Sequence, residues 1–155
     1  MAKDSKYLTK NICIGTAQFG MDYGITNQTG KPALKEIKQI ISTAMDNDIW
    51  FYDTAQSYGA SEQILGKAFL DMRVNNKVKC ITKLDPNFTY NTFSDLKVAV
   101  QDSLNKLNIS RLWGLLIHRP KITGQFNSFL SGVSQLKELN LIKYFGVSVY
   151  DPEDA

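Results

Sequence analysis

Histidine occurs once in these 155 residues, cysteine twice and proline four times. Each scarcity excludes something. One histidine and two distant cysteines, Cys13 and Cys80, fall short of the four ligands of a structural zinc site. Both cysteines lie in apolar, strand-like runs and read as buried free thiols in a reducing cytoplasm. No block of Lys and Arg stands out, and the net charge of +3 is dispersed, so neither a nucleic-acid nor a membrane footprint is indicated. The one local pair, Lys77 and Lys79, flanks an apolar strand and reads as solvated surface or barrel floor. No apolar stretch approaches a membrane span. The polar start, Met1 to Lys10, lacks the apolar segment of a secretory signal, so the expected location is the cytoplasm. Without such a signal, the Asn-x-Ser/Thr triplets that begin at Asn27, Asn87 and Asn108 read as chance matches.

What is present is an ordinary globular composition, 43% hydrophobic and 21% charged. Short apolar runs alternate with longer segments of helical period. Strands are expected at Asn11–Thr16, Ile49–Tyr52, Val78–Lys83, Leu112–His118 and Tyr144–Val149. Helices are expected between them. Pro32–Asn47 carries Leu34, Ile37, Ile40, Ile41 and Ala44 on one face, and Pro32 suits a first helical position. Ser61–Leu70 turns Ile64, Leu65, Ala68 and Phe69 inward. Thr92 can cap a third helix striped by Leu96, Ala99, Val100, Ser103, Leu104 and Leu107. Gln125–Leu139 carries Phe126, Phe129, Leu130, Val133, Leu136 and Leu139. The loop from Ala17 to Lys31 is long for a connection, which suits a functional loop or a small hairpin over a barrel end.

Strands alternating with helices predict βαβ units and a parallel sheet. An open doubly wound sheet of five strands would be complete at this length. A (β/α)8 barrel would not, because it needs about 250 residues. Asp151-Pro152-Glu153-Asp154 looks like a helix start, with a cap, a first-turn proline and acids. A helix begun at the last residues suggests an incomplete chain.

Three strands end in a polar residue that the apolar pattern does not explain. Side chains alternate along a strand, so Asp53 shares a face with Phe51, Lys83 with Ile81 and His118 with Leu116. Each is the last of an inward row, at the strand end where α/β folds place their active sites. Singly, each has a structural explanation: a turn aspartate, a solvated lysine, a satisfied core histidine, and for Tyr58 an ordinary loop aromatic. Together they form a coherent chemistry. A phenol, with a pKa near ~10, is a poor acid at neutral pH unless its anion is stabilised. Lys83 would stabilise it, Asp53 would hold Lys83 charged, and His118 could orient a carbonyl oxygen. The set suits proton donation to a carbonyl that is accepting hydride. It contains no strong nucleophile for acyl transfer.

The segment Asp53-Thr54-Ala55-Gln56-Ser57-Tyr58-Gly59 resembles the D-T-A-x-x-Y-G signature of the aldo-keto reductases. Ile81-Thr82-Lys83 and Leu115-Leu116-Ile117-His118 are similar to that family's strands ending in lysine and histidine. Ile12-Cys13-Ile14-Gly15-Thr16-Ala17-Gln18-Phe19-Gly20 resembles its first strand and following loop, and Ile142-Lys143-Tyr144-Phe145-Gly146-Val147-Ser148 its fifth. The matches run in order along essentially the whole chain. The resemblance implies a (β/α)8 TIM barrel of which residues 1–155 supply the N-terminal part, about five strands and four helices. It implies reduction of an aldehyde or ketone by hydride from NADP(H), with NAD(H) the alternative cofactor. On it, the catalytic set is Asp53, Tyr58, Lys83 and His118, with Tyr58 the general acid. The cofactor contacts are Gly15, Thr16, Asp53 and Ser148; no metal is implied. Val149 stands where many members carry Asn, which removes one amide contact. The segments that hold the cofactor phosphates lie past residue 155, so this chain alone should bind NADPH poorly. The opening Gly15-Thr16-Ala17-Gln18-Phe19-Gly20-Met21-Asp22-Tyr23-Gly24 is also similar to bacterial members found with surface-sugar biosynthesis.

The competing function is a non-catalytic half-barrel, a pseudoenzyme fragment serving as an assembly or cofactor-binding module. Five strands without closure expose two sheet edges, through which copies would self-associate. The expected partner of the reductase is a small carbonyl substrate.

Overall fold

The computed structural model describes residues 12–25, 27–118 and 125–149. Five strands alternate with helices in this region. They are β1 (Cys13–Gly15), β2 (Phe51–Asp53), β3 (Lys79–Lys83), β4 (Leu112–Ile117) and β5 (Ile142–Val147). The helices are a single turn α1 (Ala17–Gly20), then α2 (Leu34–Asp46), α3 (Ser61–Asp71), α4 (Phe93–Leu107) and α5 (Phe126–Glu138). All neighbouring strands pair in parallel, in the order β1-β2-β3-β4-β5. That order decides between the two architectures left open by the strand count. A doubly wound sheet reverses its strand order at a switch point. Here each strand lies beside its predecessor without reversal, as in part of a (β/α)8 barrel.

The convex face is the core. Tyr52, Cys80, Thr82 and Leu115 point outward, fully buried, and meet Leu65, Phe69, Leu96, Val100 and Leu136 from the helices. Tyr52 packs edge-on against Phe69, ring centroids 5.0 Å apart. Its hydroxyl has no hydrogen-bond partner, and burial pushes the phenol up to about 12. On the concave face, Phe51, Trp113 and Tyr144 form a row of edge contacts, each with centroids 5.4 Å apart.

Local chemistry places most boundaries near those expected. Thr92 caps α4: its Oγ1 accepts from Asp95 N at 3.4 Å, while Asp95 Oδ2 accepts from Thr92 N at 2.9 Å. Five expectations are corrected. Helix α2 starts at Leu34 rather than Pro32, because the Glu36 carboxylate folds back to accept from Ala33 N at 2.7 Å. Strand β5 runs from Ile142 to Val147 rather than from Tyr144 to Val149. Lys143 interrupts the apolar run, yet it is within the strand, its ammonium 3.9 Å from the Trp113 ring centroid. Phe126 and Leu139, at the two ends of α5, are exposed rather than part of its buried stripe. Cys13 is exposed rather than buried, because it lies on the concave face; Cys80, on the convex face, is buried, and both thiols are free. The long loop holds α1 and an Asn27-centred turn, in which Asn27 Oδ1 accepts from Gly30 N at 3.0 Å, rather than a hairpin. The helix start at Asp151-Pro152 lies outside the described residues. Among the described residues no helix is long and apolar enough to cross a membrane.

One buried acid belongs to this outer layer. Glu62, in the first turn of α3, is almost wholly buried and accepts from Thr82 Oγ1 at 2.7 Å. Burial raises its pKa above the ordinary 4.5, against the opposing effect of bonds from Thr82 and Ser103. The folded protein therefore holds a proton that the unfolded chain releases, and stability declines as pH rises above about 4.5 until Glu62 ionises in place. Glu62→Gln keeps an acceptor for Thr82 and removes the titration. Thermal midpoints measured across this range should decline less with pH in the variant; identical pH profiles would exclude Glu62 as the source.

Candidate active site

The C-terminal ends of β1 to β4 form the rim on which the site is built. Lys83, the last residue of β3, is only 5% exposed. A buried ammonium needs its charge and its three donors answered. Lys83 Nζ donates to Asp53 Oδ1 and Oδ2, each at 2.8 Å, and to Thr54 O at 2.9 Å. All three hydrogens are thus used, and none remains for the Tyr58 hydroxyl. The ammonium instead faces the Tyr58 ring, 4.9 Å from its centroid. The ring's other neighbour is His118, edge-on with centroids 5.8 Å apart. Asp53, Lys83, Tyr58 and His118 are therefore in one contact chain, although four separate elements or loops supply them.

Tyr58 is held by backbone contact as much as by its ring. Gly20 ends α1 against the turn that carries Tyr58. A Cβ on Gly20 would overlap Tyr58 O and Ser61 N and would lie 2.8 Å from Ser61 Cα. Gly59 has φ +56°, in the left-handed region, and a Cβ there would overlap Gly20 O. Two glycines thus let the first loop and the Tyr58 turn touch backbone to backbone. The glycine after the tyrosine has this steric reason.

Three residues given no role at the sequence level join the site. Ser57 Oγ lies 3.1 Å from His118 Nδ1 and orients the ring. Gln56 bridges the rim to α4: its Nε2 donates to Ala99 O and Ser103 Oγ, both at 3.0 Å, and its Oε1 accepts from Asp85 N at 2.8 Å. Ser61 Oγ donates toward Thr16 O at 2.9 Å and lies 3.0 Å from Thr54 Oγ1. Their partners are 7 to 61 residues away, so no local sequence pattern announces them.

The four residues expected to hold a cofactor are placed differently from one another. Gly15 pairs with Asp53 in register, and nothing lies within 4 Å of where its Cβ would stand. Both line a concavity of about 530 Å3 whose wall continues through Ile81, Trp113 and Leu116. Thr16 is fully buried: its hydroxyl and its N–H both donate to Asp53 O, at 2.9 Å and 3.0 Å, so it holds the end of β2 rather than presenting a group to a ligand. Ser148 lies one residue past β5, its N–H donating to Ile117 O at 2.9 Å beside the strand end that carries His118. The open space at Gly15 and the hydroxyl of Ser148 fit the flat ring and the amide of a nicotinamide. No cluster of metal-ligating side chains exists among the described residues.

The fold is a partial parallel barrel whose C-terminal rim gathers a Lys–Asp pair, a tyrosine and a histidine. Within that fold the sequence is specific. The profile of the Aldo/keto reductase family matches residues 11–155, and the chain belongs to that family. Solved structures agree on the fold. A thermostable aldo-keto reductase, Tm1743, in complex with the inhibitor epalrestat, is 26% identical; the match covers 91% of this chain and 50% of that one, with a TM-score of 0.70. The holo form of an aldo-keto reductase from Bacillus halodurans is 22% identical over 91% of this chain and 46% of that one, TM-score 0.70. An aldo-keto reductase from Klebsiella pneumoniae in complex with NADPH is 21% identical over 92% and 46%, TM-score 0.70. The chain spans about half the length of these proteins.

Proposed function

We propose that residues 1–155 are the N-terminal part of a single barrel domain, and that the protein with a complete barrel reduces an aldehyde or ketone to an alcohol. The observation that carries this reading is the saturated Lys83 ammonium over the Tyr58 ring, with His118 edge-on to the same ring. A reduced nicotinamide bound at this rim supplies the hydride. Gly15, Asp53 and Ser148 would hold its nicotinamide end, with Thr16 supporting Asp53 through two hydrogen bonds to its carbonyl oxygen. NADP(H) is the favoured form because the Klebsiella pneumoniae relative was crystallised with NADPH.

The remaining chemistry belongs to the side chains of this chain. As the carbonyl carbon gains hydride, its oxygen gains charge, and Tyr58 Oη passes its proton to that oxygen. The phenolate left behind faces a cation that cannot drift, because Asp53 and Thr54 fix it. His118, oriented by Ser57, donates a hydrogen bond to the carbonyl oxygen and sets its position. Oxidation of NADPH by a panel of aldehydes and ketones, followed by the loss of its absorbance in the protein with a complete barrel, tests the reading. Saturable turnover is the expected result; NADPH binding with no carbonyl reduced across the panel would instead favour a cofactor-binding module.

A further inference from the structure

We propose a second ligand site, for a small phosphate-type anion, at the opposite end of the sheet from the rim. Lys79 opens β3, Arg111 precedes β4 and Lys143 lies near the start of β5, so all three gather at the strands' N-terminal ends. With Lys77 and the ring of Trp113 they line a cavity of about 290 Å3, and no carboxylate is among its described lining residues. Two ammonium groups share one indole: Lys143 Nζ is 3.9 Å and Lys79 Nζ 4.6 Å from the Trp113 ring centroid. Lys79 also lies 4.8 Å from the Phe51 centroid. A ring quadrupole attracts each cation but does nothing to relieve the repulsion between them.

An acid beside them would relieve that repulsion. Among the described residues, ion pairs join Lys38 to Asp71, Lys83 to Asp53 and Lys106 to Asp102, and none reaches this cavity. Arg111 donates one long bond, 3.4 Å to Ile142 O, and its fork retains donors for a second acceptor. Four cations around a polar hollow with no carboxylate among its described lining residues are complementary to an anion bearing more than one charge. The guanidinium fork suits the bidentate geometry of a phosphate, and the lysines act as point charges. The hollow is at the small end of ligand pockets, which favours a compact anion of the inorganic phosphate or pyrophosphate kind.

The site does not depend on the reductase reading, and its test avoids activity. The chain has two tryptophans, so Trp50→Phe leaves Trp113 as the only tryptophan, read selectively by excitation beyond the tyrosine absorption band. Pyrophosphate titrated into the 155-residue protein at constant ionic strength should change that emission saturably in the micromolar range, and chloride should not. Lys79→Met with Lys143→Met, which keeps the apolar stems, should weaken binding by tenfold or more, since a charge-assisted bond contributes about 1.5–3 kcal/mol. Arg111→Met, at an exposed position, should weaken it independently, and Lys143→Arg should retain it. Tyr58→Phe should leave it unchanged, which separates this site from the rim. A signal that tracks only ionic strength, or an affinity equal in the double Met variant and its parent, overturns the proposal.

Discussion

Tyr58→Phe is expected to lower kcat for carbonyl reduction by about two to four orders of magnitude, the usual contribution of a positioned general acid. The substitution is informative because so little else changes. Tyr58 meets Lys83 and His118 through its ring, at 4.9 Å and 5.8 Å, and both contacts survive in phenylalanine. Lys83 has already committed its donors to Asp53 and Thr54, so loss of the hydroxyl leaves no orphaned ammonium hydrogen. Fold stability and NADPH affinity should therefore be close to those of the parent, and the loss should appear in kcat rather than in KM. Unchanged turnover in the protein with a complete barrel would remove Tyr58 from the acid role. A comparable loss caused by unfolding would show as a lowered Tm, which the ring contacts argue against.

The second large effect is expected at Gly20→Ala, where the residue changed carries no chemistry. A methyl group there meets the backbone of Tyr58 and Ser61, not the far end of a flexible side chain. Backbone cannot swing aside, so α1 must separate from the turn that carries the tyrosine. Overpacking of this kind costs about 1–3 kcal/mol, and a shift of the turn withdraws Tyr58 from the rim. Activity should fall sharply and Tm should drop together. Gly15→Ala is the stability control: its added methyl meets open space, so its Tm should stay near the parent value. Equal Tm values for the two variants would mean that the Gly20 contact does not position the Tyr58 turn.

The elements were legible where local chemistry decides them. Thr92 with Asp95 marks a helix start in any context, and the stripe from Leu96 to Leu107 needs only a helical period. Alternation along β2 separated Asp53 on one face from Tyr52 on the other, and the helix layer buries Tyr52 as alternation requires. What escaped depends on neighbours distant in sequence. Lys143 broke an apolar run on paper, yet in space its ammonium lies over the Trp113 ring. Cys13 looked like a core residue because β1 is apolar, but a strand's burial depends on which layers cover each face. Ser57 and Gln56 sat in view, inside the motif that carries Tyr58. Their roles arise only when His118 and Ser103 arrive from the following strand and helix.

The strand order has a consequence for how this chain comes to be folded. Among the described residues each strand after β1 pairs with the strand synthesised just before it, and in a closed barrel only β1 waits for a partner from the far end of the chain. Sequence separation between partners stays short, and low contact order favours fast folding. The sheet can therefore assemble one βα unit at a time, with the Asp53–Lys83 pair joined by β2 and β3 before β4 brings His118 to Tyr58.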